Sequence, residues 1–126
     1  MQSLRVFAGV AAAAVVAAAA CGKEAPTQPS DPPCATITIT NNVSTPKHVT
    51  VAPGCRVSFT SNDAGRHEMV SDPHPEHTDC PPVNSVGVLN RGESRQTGNL
   101  NTPGVCGFHD HERDQIEALR GTITVK

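Results

Sequence analysis

The sequence predicts an all-β sandwich of seven or eight short strands, and three observations carry that prediction. Several stretches alternate polar and apolar residues with the two-residue period of a half-buried strand, as in Ala35-Thr-Ile-Thr-Ile-Thr40 and Gly121-Thr-Ile-Thr-Val-Lys126. Turn formers such as Asn41-Asn42, Pro53-Gly54 and Pro103-Gly104 punctuate them at short intervals. No segment shows a sustained helical period, and there is no internal repeat.

The first 20 residues stand apart from that domain. Met1 to Arg5 carries one positive charge, and Val6 to Ala20 is an apolar run of 15 residues, mostly Ala and Val. Such a run is short for a bilayer span and fits the hydrophobic region of a secretory signal. It ends in Ala18-Ala-Ala-Cys21-Gly22, which resembles the lipobox of bacterial lipoproteins with Ala18 in place of the usual Leu. That resemblance implies lipidation of Cys21, with simple secretion after an Ala-x-Ala cut as the alternative. Residues 21–33 then form a tether: Lys23 to Pro33 holds four prolines among small and polar residues, with nothing to bury. The folded domain is expected over 34–126, enough for one small sandwich.

Within that domain, strands are expected at Ala35–Thr40, His48–Val51 and Arg56–Thr60. Ser61 to Gly65 reads as a loop, Arg66 to Val70 as a short strand, and Ser71 to Pro82 as a loop with four prolines, two histidines and a cysteine. Val86 to Leu89 is weakly strand-like, Glu93 to Leu100 has the polarity of an edge strand, and Val105 to Phe108 follows the Pro103-Gly104 turn. Gln115 to Leu119 is long enough for one helical turn before the last strand.

Charge and aromatic content exclude some partners. With Arg5 set aside, nine Lys and Arg stand against twelve Asp and Glu, so no basic surface favours nucleic acid. The chain has no Trp or Tyr, and therefore lacks stacking platforms for bases. Histidine is the unusual component: all six lie beyond the tether, and five fall between His67 and His111.

The order TITITNN…HVTVAPGCRVSFTSND…H, closed by TPGVCGFH…LRGTITVK, resembles the cupredoxins, the Greek-key β-sandwiches that bind copper. The resemblance covers almost all of 35–126. It implies a plastocyanin- or azurin-like site in which His67 is the first imidazole ligand, Cys106 the thiolate and His109 the second imidazole. His111 is a rival for that last place at a Cys-x4-His spacing. The axial position falls on Leu119, where the family usually has Met, and the segment from His109 to Leu119 is longer than usual. A blue-copper centre needs two imidazoles and a thiolate in a roughly trigonal plane. The free nitrogen of each imidazole needs a partner, for which Asp110 or a backbone carbonyl is available. The arrangement also implies a Cys34–Cys55 disulfide, because strands one and three start side by side.

Two readings remain open for the rest. His74 and His77, on the proline-rich loop, are either further copper ligands or solvated side chains. Met69 is expected in the core, His48 in a structural role, and Glu112 and Asp114 in solvent. Cys80 and Cys106 either remain apart, leaving a thiolate, or pair in an oxidising compartment. Pairing excludes a thiolate–copper centre and leaves copper to the imidazoles.

The function expected is a copper-binding protein lipid-anchored to a membrane of the cell envelope, carrying electrons to a redox partner protein or handling copper. The alternative is a disulfide-stabilised sandwich that binds partners without metal. An enzyme is not expected. Cys106 with His109 as nucleophile and base lacks an orienting group, and copper-dependent redox activity has no substrate in view.

Overall fold

A computed structural model describes residues 32–126. The expected signal segment, the expected lipidation position Cys21 and the expected tether up to residue 31 lie outside the described residues. The first sheet has the strand order β2-β1-β4-β7, from β1 (Ala35–Thr40), β2 (Val43–Thr45), β4 (Val57–Ser61) and β7 (Ser94–Gln96). The second runs β3-β9-β8-β5-β6, from β3 (His48–Val51), β5 (His67–Ser71), β6 (Gly87–Leu89), β8 (Gly104–Asp110) and β9 (Gly121–Val125). β1 pairs with β4 and β3 with β9 in parallel, while the other neighbours are antiparallel. The result is the Greek-key sandwich. Among the described residues the only helical segments are three short 3-10 turns.

The alternation seen in the sequence sets which side chains meet between the sheets. Ile37 and Ile39 of β1 and Ile123 and Val125 of β9 point inward, and their Thr neighbours point away. Phe59 of β4 and Phe108 of β8 meet edge to face across the sandwich, with ring centroids 5.1 Å apart. Where β9 passes β3, only glycine fits at position 121: a Cβ there would run into the Lys47 carbonyl and the Phe108 ring. Met69 is fully buried in this core.

The described residues form nine strands rather than seven or eight. The extra one is β2. Asn41 and Asn42 both adopt left-handed backbone, with φ of 55° and 57°, and make a two-residue hairpin that pairs Thr40 with Val43. Several boundaries shift by one residue, and three differences matter more. The edge strand expected over Glu93–Leu100 shrinks to Ser94–Gln96, with Leu100 making a single bridge to Cys55. The loop expected through Pro82 closes in a 3-10 turn over Pro81–Ser85, with proline at its start and Val83 buried. Most important for the site, β8 does not stop at Phe108 but continues extended to Asp110.

Candidate metal centre

The length of β8 decides which side chains can converge. Side chains alternate along a strand, so Cys106, Phe108 and Asp110 face the interior while Gly107 and His109 face outward. Cys106 and His109 are three apart and lie on opposite faces of one straight strand. The expected trigonal set of His67, Cys106 and His109 therefore does not form, and each of its members is used otherwise.

Cys106 is bonded to Cys80, with Cα atoms 5.4 Å apart. A thiolate is not available there, and Cys106 is no nucleophile. Cys34 and Cys55 are joined as well, 5.8 Å between Cα atoms, at the adjacent starts of the β1–β4 parallel pair. Leu119 is fully buried among apolar side chains and offers no ligand atom.

His67 points inward from β5, on the same face as Met69. Its Nδ1 lies 2.7 Å from Asp110 Oδ2 and its Nε2 lies 3.1 Å from Asp63 Oδ2. Both ring nitrogens are thus engaged by carboxylate oxygens. Asp110 is completely buried and accepts further hydrogen bonds from the backbone N–H of Glu68 and Glu112 and from Arg113 Nη1. Burial alone would raise the Asp63 carboxyl. The N–H groups of Asn42 and Asn41, with His67, outweigh it and hold the group below the usual carboxylate value. This is a closed, satisfied charge network with no open ligand atom.

The outer face of β8 is different. His109, His111 at the start of the next 3-10 turn, and His74 and His77 from the loop above all converge, with one nitrogen of each within 4.8 Å of one nitrogen of every other. Ring centroids are 5.5 Å apart for His74–His109, 5.3 Å for His77–His109 and 4.9 Å for His77–His111. The loop is held in place by its own backbone: His77 N–H donates to Pro73 O at 2.7 Å, and Asp79 N–H to Asp72 O at 2.9 Å. Asn84 clamps both ends, accepting from Ser71 N–H and donating to the His77 carbonyl, each at 2.8 Å.

His109 is fully buried, and its two nitrogens have opposite fates. Nδ1 donates to Asp72 Oδ1 at 2.6 Å, whereas Nε2 is buried without any hydrogen-bond partner. Fixing the proton on Nδ1 leaves a bare lone pair on Nε2, the usual arrangement of a metal-ligating histidine backed by a carboxylate. Gly107 makes room for this, since a Cβ there would collide with the Asp72 carboxylate. His77 is held below the usual imidazole pKa, by burial first and then by the neighbouring His109, His111 and His74. Its neutral, ligating form is thereby favoured. His77 Nε2 and His111 Nδ1 face each other at 3.2 Å, sharing a proton where a cation can sit between two lone pairs. Asp114 Oδ2 lies 3.9 Å from His74 Nε2. Asp114 and Asp72 supply negative charge around the four rings.

Four residues of consequence escaped the sequence reading. Asp72, not Asp110, orients His109; Asp63 and Arg113 complete the network around His67; and Asn84 pins the loop. Gly107, two residues before His109 on the same face, was the one local signal that a side chain from elsewhere lies over the strand. Glu112 is not free in solvent but pairs with Arg66. His48 is exposed, its Nδ1 hydrogen-bonded to Thr122 Oγ1 at 2.8 Å.

These residues fit copper in one way and not the other. The donor set for a thiolate–copper centre is absent, because its sulfur is spent in a disulfide. An imidazole-ligated ion fits, on the strength of the orphaned His109 Nε2 and its three neighbours.

No family model matches the chain, and no curated protein matches it. Solved structures do. The oxidized form of plastocyanin from Dryopteris crassirhizoma is 22% identical with a TM-score of 0.57, over 72% of this chain and 99% of that one. A novel purple cupredoxin from Nitrosopumilus maritimus is 19% identical with a TM-score of 0.55, over 73% of this chain and 99% of that one. The reduced Cu(I) form of an amicyanin variant is 13% identical with a TM-score of 0.57, over 72% and 80%. At these identities the likeness establishes the fold: the described domain is a cupredoxin-type sandwich.

Proposed function

We propose that the chain is a copper-binding protein of the cell envelope, tethered to a membrane through Cys21, whose metal is held by His74, His77, His109 and His111. The observation that carries this reading is His109: a buried imidazole, clustered with three others, whose Nδ1 is fixed on Asp72 and whose Nε2 has no partner of its own. Imidazole donors suit Cu(II) and, among divalent first-row ions, copper binds most tightly to such sites. The cupredoxin fold, seen with Cu(I) in the related amicyanin, is consistent with that choice.

Copper bound here supplies a positive charge and a redox couple without the covalent sulfur link of a blue site. The chain's own residues fix the His109 tautomer that presents Nε2 as the free nitrogen and offset the cation with Asp72 and Asp114. His74 remains part-exposed at the rim, so the ion stays within reach of solvent and of a delivering or receiving partner. Such a site favours copper holding and transfer over rapid electron exchange.

The test is copper reconstitution of the purified protein. Stoichiometric uptake with a weak visible band and a nitrogen-rich Cu(II) resonance spectrum is the expected result. An intense blue absorption would mean a thiolate ligand and overturn the imidazole assignment. Absence of uptake selects the second reading, a metal-free binding module, which the two disulfides favour. Incorporation of labelled fatty acid, lost in Cys21→Ser, checks the anchor.

A further inference from the structure

The four imidazoles come from two chain segments, and one covalent bond ties those segments together. His74 and His77 lie on the loop that ends at Cys80, while His109 and His111 follow Cys106 on β8. Cys80 is three residues past His77 and Cys106 three residues before His109, so the disulfide closes a short circuit through both ligand pairs. Resting on the reading of this cluster as a metal centre, we propose that Cys80–Cys106 is a thiol-reducible clamp that sets how tightly the site retains its metal.

The non-covalent ties between the two segments are few. Asp72 N–H donates to Gly107 O at 3.0 Å, and the Asp72 carboxylate accepts from His109. Both hold the start of the loop. At its far end, beyond His77, the hydrogen bonds go to Ser71, Asp72 and Asn84 rather than to β8. At the His77 end, among the described residues, the polar contact to the other segment is between the candidate ligand rings themselves, His77 Nε2 to His111 Nδ1 at 3.2 Å. The disulfide is therefore the tie there that does not run through a ligand side chain. Opening it returns conformational freedom to two of the four ligands, which then must be ordered again when metal binds. The other disulfide shares no element with the histidines, since it joins the starts of β1 and β4.

The bond also has an approach. Both half-cystines are buried, 6% and 8% exposed, at the floor of a groove of about 320 Å³ walled by Pro81, Pro103 and Val105, so a reductant enters from that groove as its walls part. The step is ordinary thiol–disulfide exchange. A thiolate of a dithiol reductant attacks one sulfur from the groove, forming a mixed disulfide. Its second thiol then displaces the protein sulfur. The protein gains two electrons and two protons as two thiols, and the reductant leaves as its own disulfide. Because coupling between sites is reciprocal, bound metal protects the disulfide by the same factor that the disulfide favours metal.

Two measurements test this. Cu(II) affinity is compared by chelator competition in the wild type and in Cys80→Ser/Cys106→Ser, with circular dichroism reporting the fold. Cys80→Ala/Cys106→Val serves as the apolar replacement where the first variant does not fold. The variant is expected to bind about 10-fold more weakly, the size of effect typical when a ligand's support is removed. Separately, saturating Ni(II), a redox-silent probe kept in excess of the thiol, is expected to lower the fraction of wild type reduced at equilibrium in a thiol–disulfide redox buffer; this arm needs no variant. Wild-type affinity in the folded variant, or an unchanged equilibrium fraction reduced with Ni(II) bound, overturns the clamp while leaving the metal site standing. A wild type that takes up neither ion overturns both.

Discussion

The two faces of β8 pose the same chemical question and answer it in opposite ways. Inward, Asp110 and His67 sit with Asp63 and Arg113, and every polar atom of the buried Asp110–His67 pair has a partner. Outward, one residue to either side, His109 and His111 meet two more imidazoles, and the buried Nε2 of His109 has none. A buried charge network is tolerable only when its members satisfy each other. A buried lone pair left without a donor costs free energy unless something outside the chain supplies the missing partner. The comparison teaches that ligand-type residues in a cupredoxin fold need not mark the ligand site. What marks it is unmet bonding capacity.

The largest effect should come from breaking the satisfied face. Asp110→Ala leaves His67 buried against Asp63 alone and strands the backbone N–H groups of Glu68 and Glu112, while Arg113 keeps its bond to the Arg66 carbonyl. A loss of about 3–5 kcal/mol is expected in chemical denaturation, as for one partner removed from a buried pair. A loss below about 1 kcal/mol would show that the inner network is replaceable. On the outer face the expectation is reversed: His109→Ala should cost little stability but weaken copper binding more than about 100-fold, beyond what loss of a supporting residue does. Equal copper affinity in that variant would remove the centre from this face.

The fold was largely legible from the chain, because period-two alternation and turn pairs report backbone directly. Ile37, Ile39, Phe59 and Ile123 all lie inside, as their alternation requires. All four converging histidines were among the candidates, but which of the candidates meet was not legible, and the reason is local. The Cys106-x-x-His109 spacing suits a site only if the strand ends between those residues. Here it continues to Asp110, which puts them on opposite faces. Nothing in the spacing reports where a strand stops. The paired cysteines were equally undetermined, since Cys80 joins a loop to a strand 26 residues away and only the folded path of the loop brings them together. The histidines were visible as a cluster in composition; their convergence depends on Asp72 and Asn84, polar loop residues with no sequence mark of their role.

A smaller effect separates the ligands from their support. Asp72→Asn keeps the shape over Gly107 but removes the charge that fixes the proton on His109 Nδ1. Copper affinity should fall about 10- to 100-fold with stability little changed. If affinity is retained, the Asp72 contact is packing rather than orientation, and the outer site must find its lone pair another way.

The smallest effect belongs to pH and to Asp63, at the rim of the inner network. Its carboxyl is held below the ordinary value of 3.8 in the folded chain. A carboxyl depressed by folding contributes stability that is fully present above its unfolded pKa and is lost as pH falls through the folded one. Stability of the wild type should therefore be flat for this group near neutral pH and decline only below about pH 4. Asp63→Asn should be less stable at pH 7 and show a shallower acid decline, measured by denaturation across pH 2.5–7 (roughly the span over which carboxyls titrate). The outer site behaves differently, because its imidazoles must be neutral to hold metal, so copper should leave as pH drops through the histidine range, well before the inner network responds. Loss of metal and loss of fold at the same pH would mean that the two faces of β8 are coupled rather than independent.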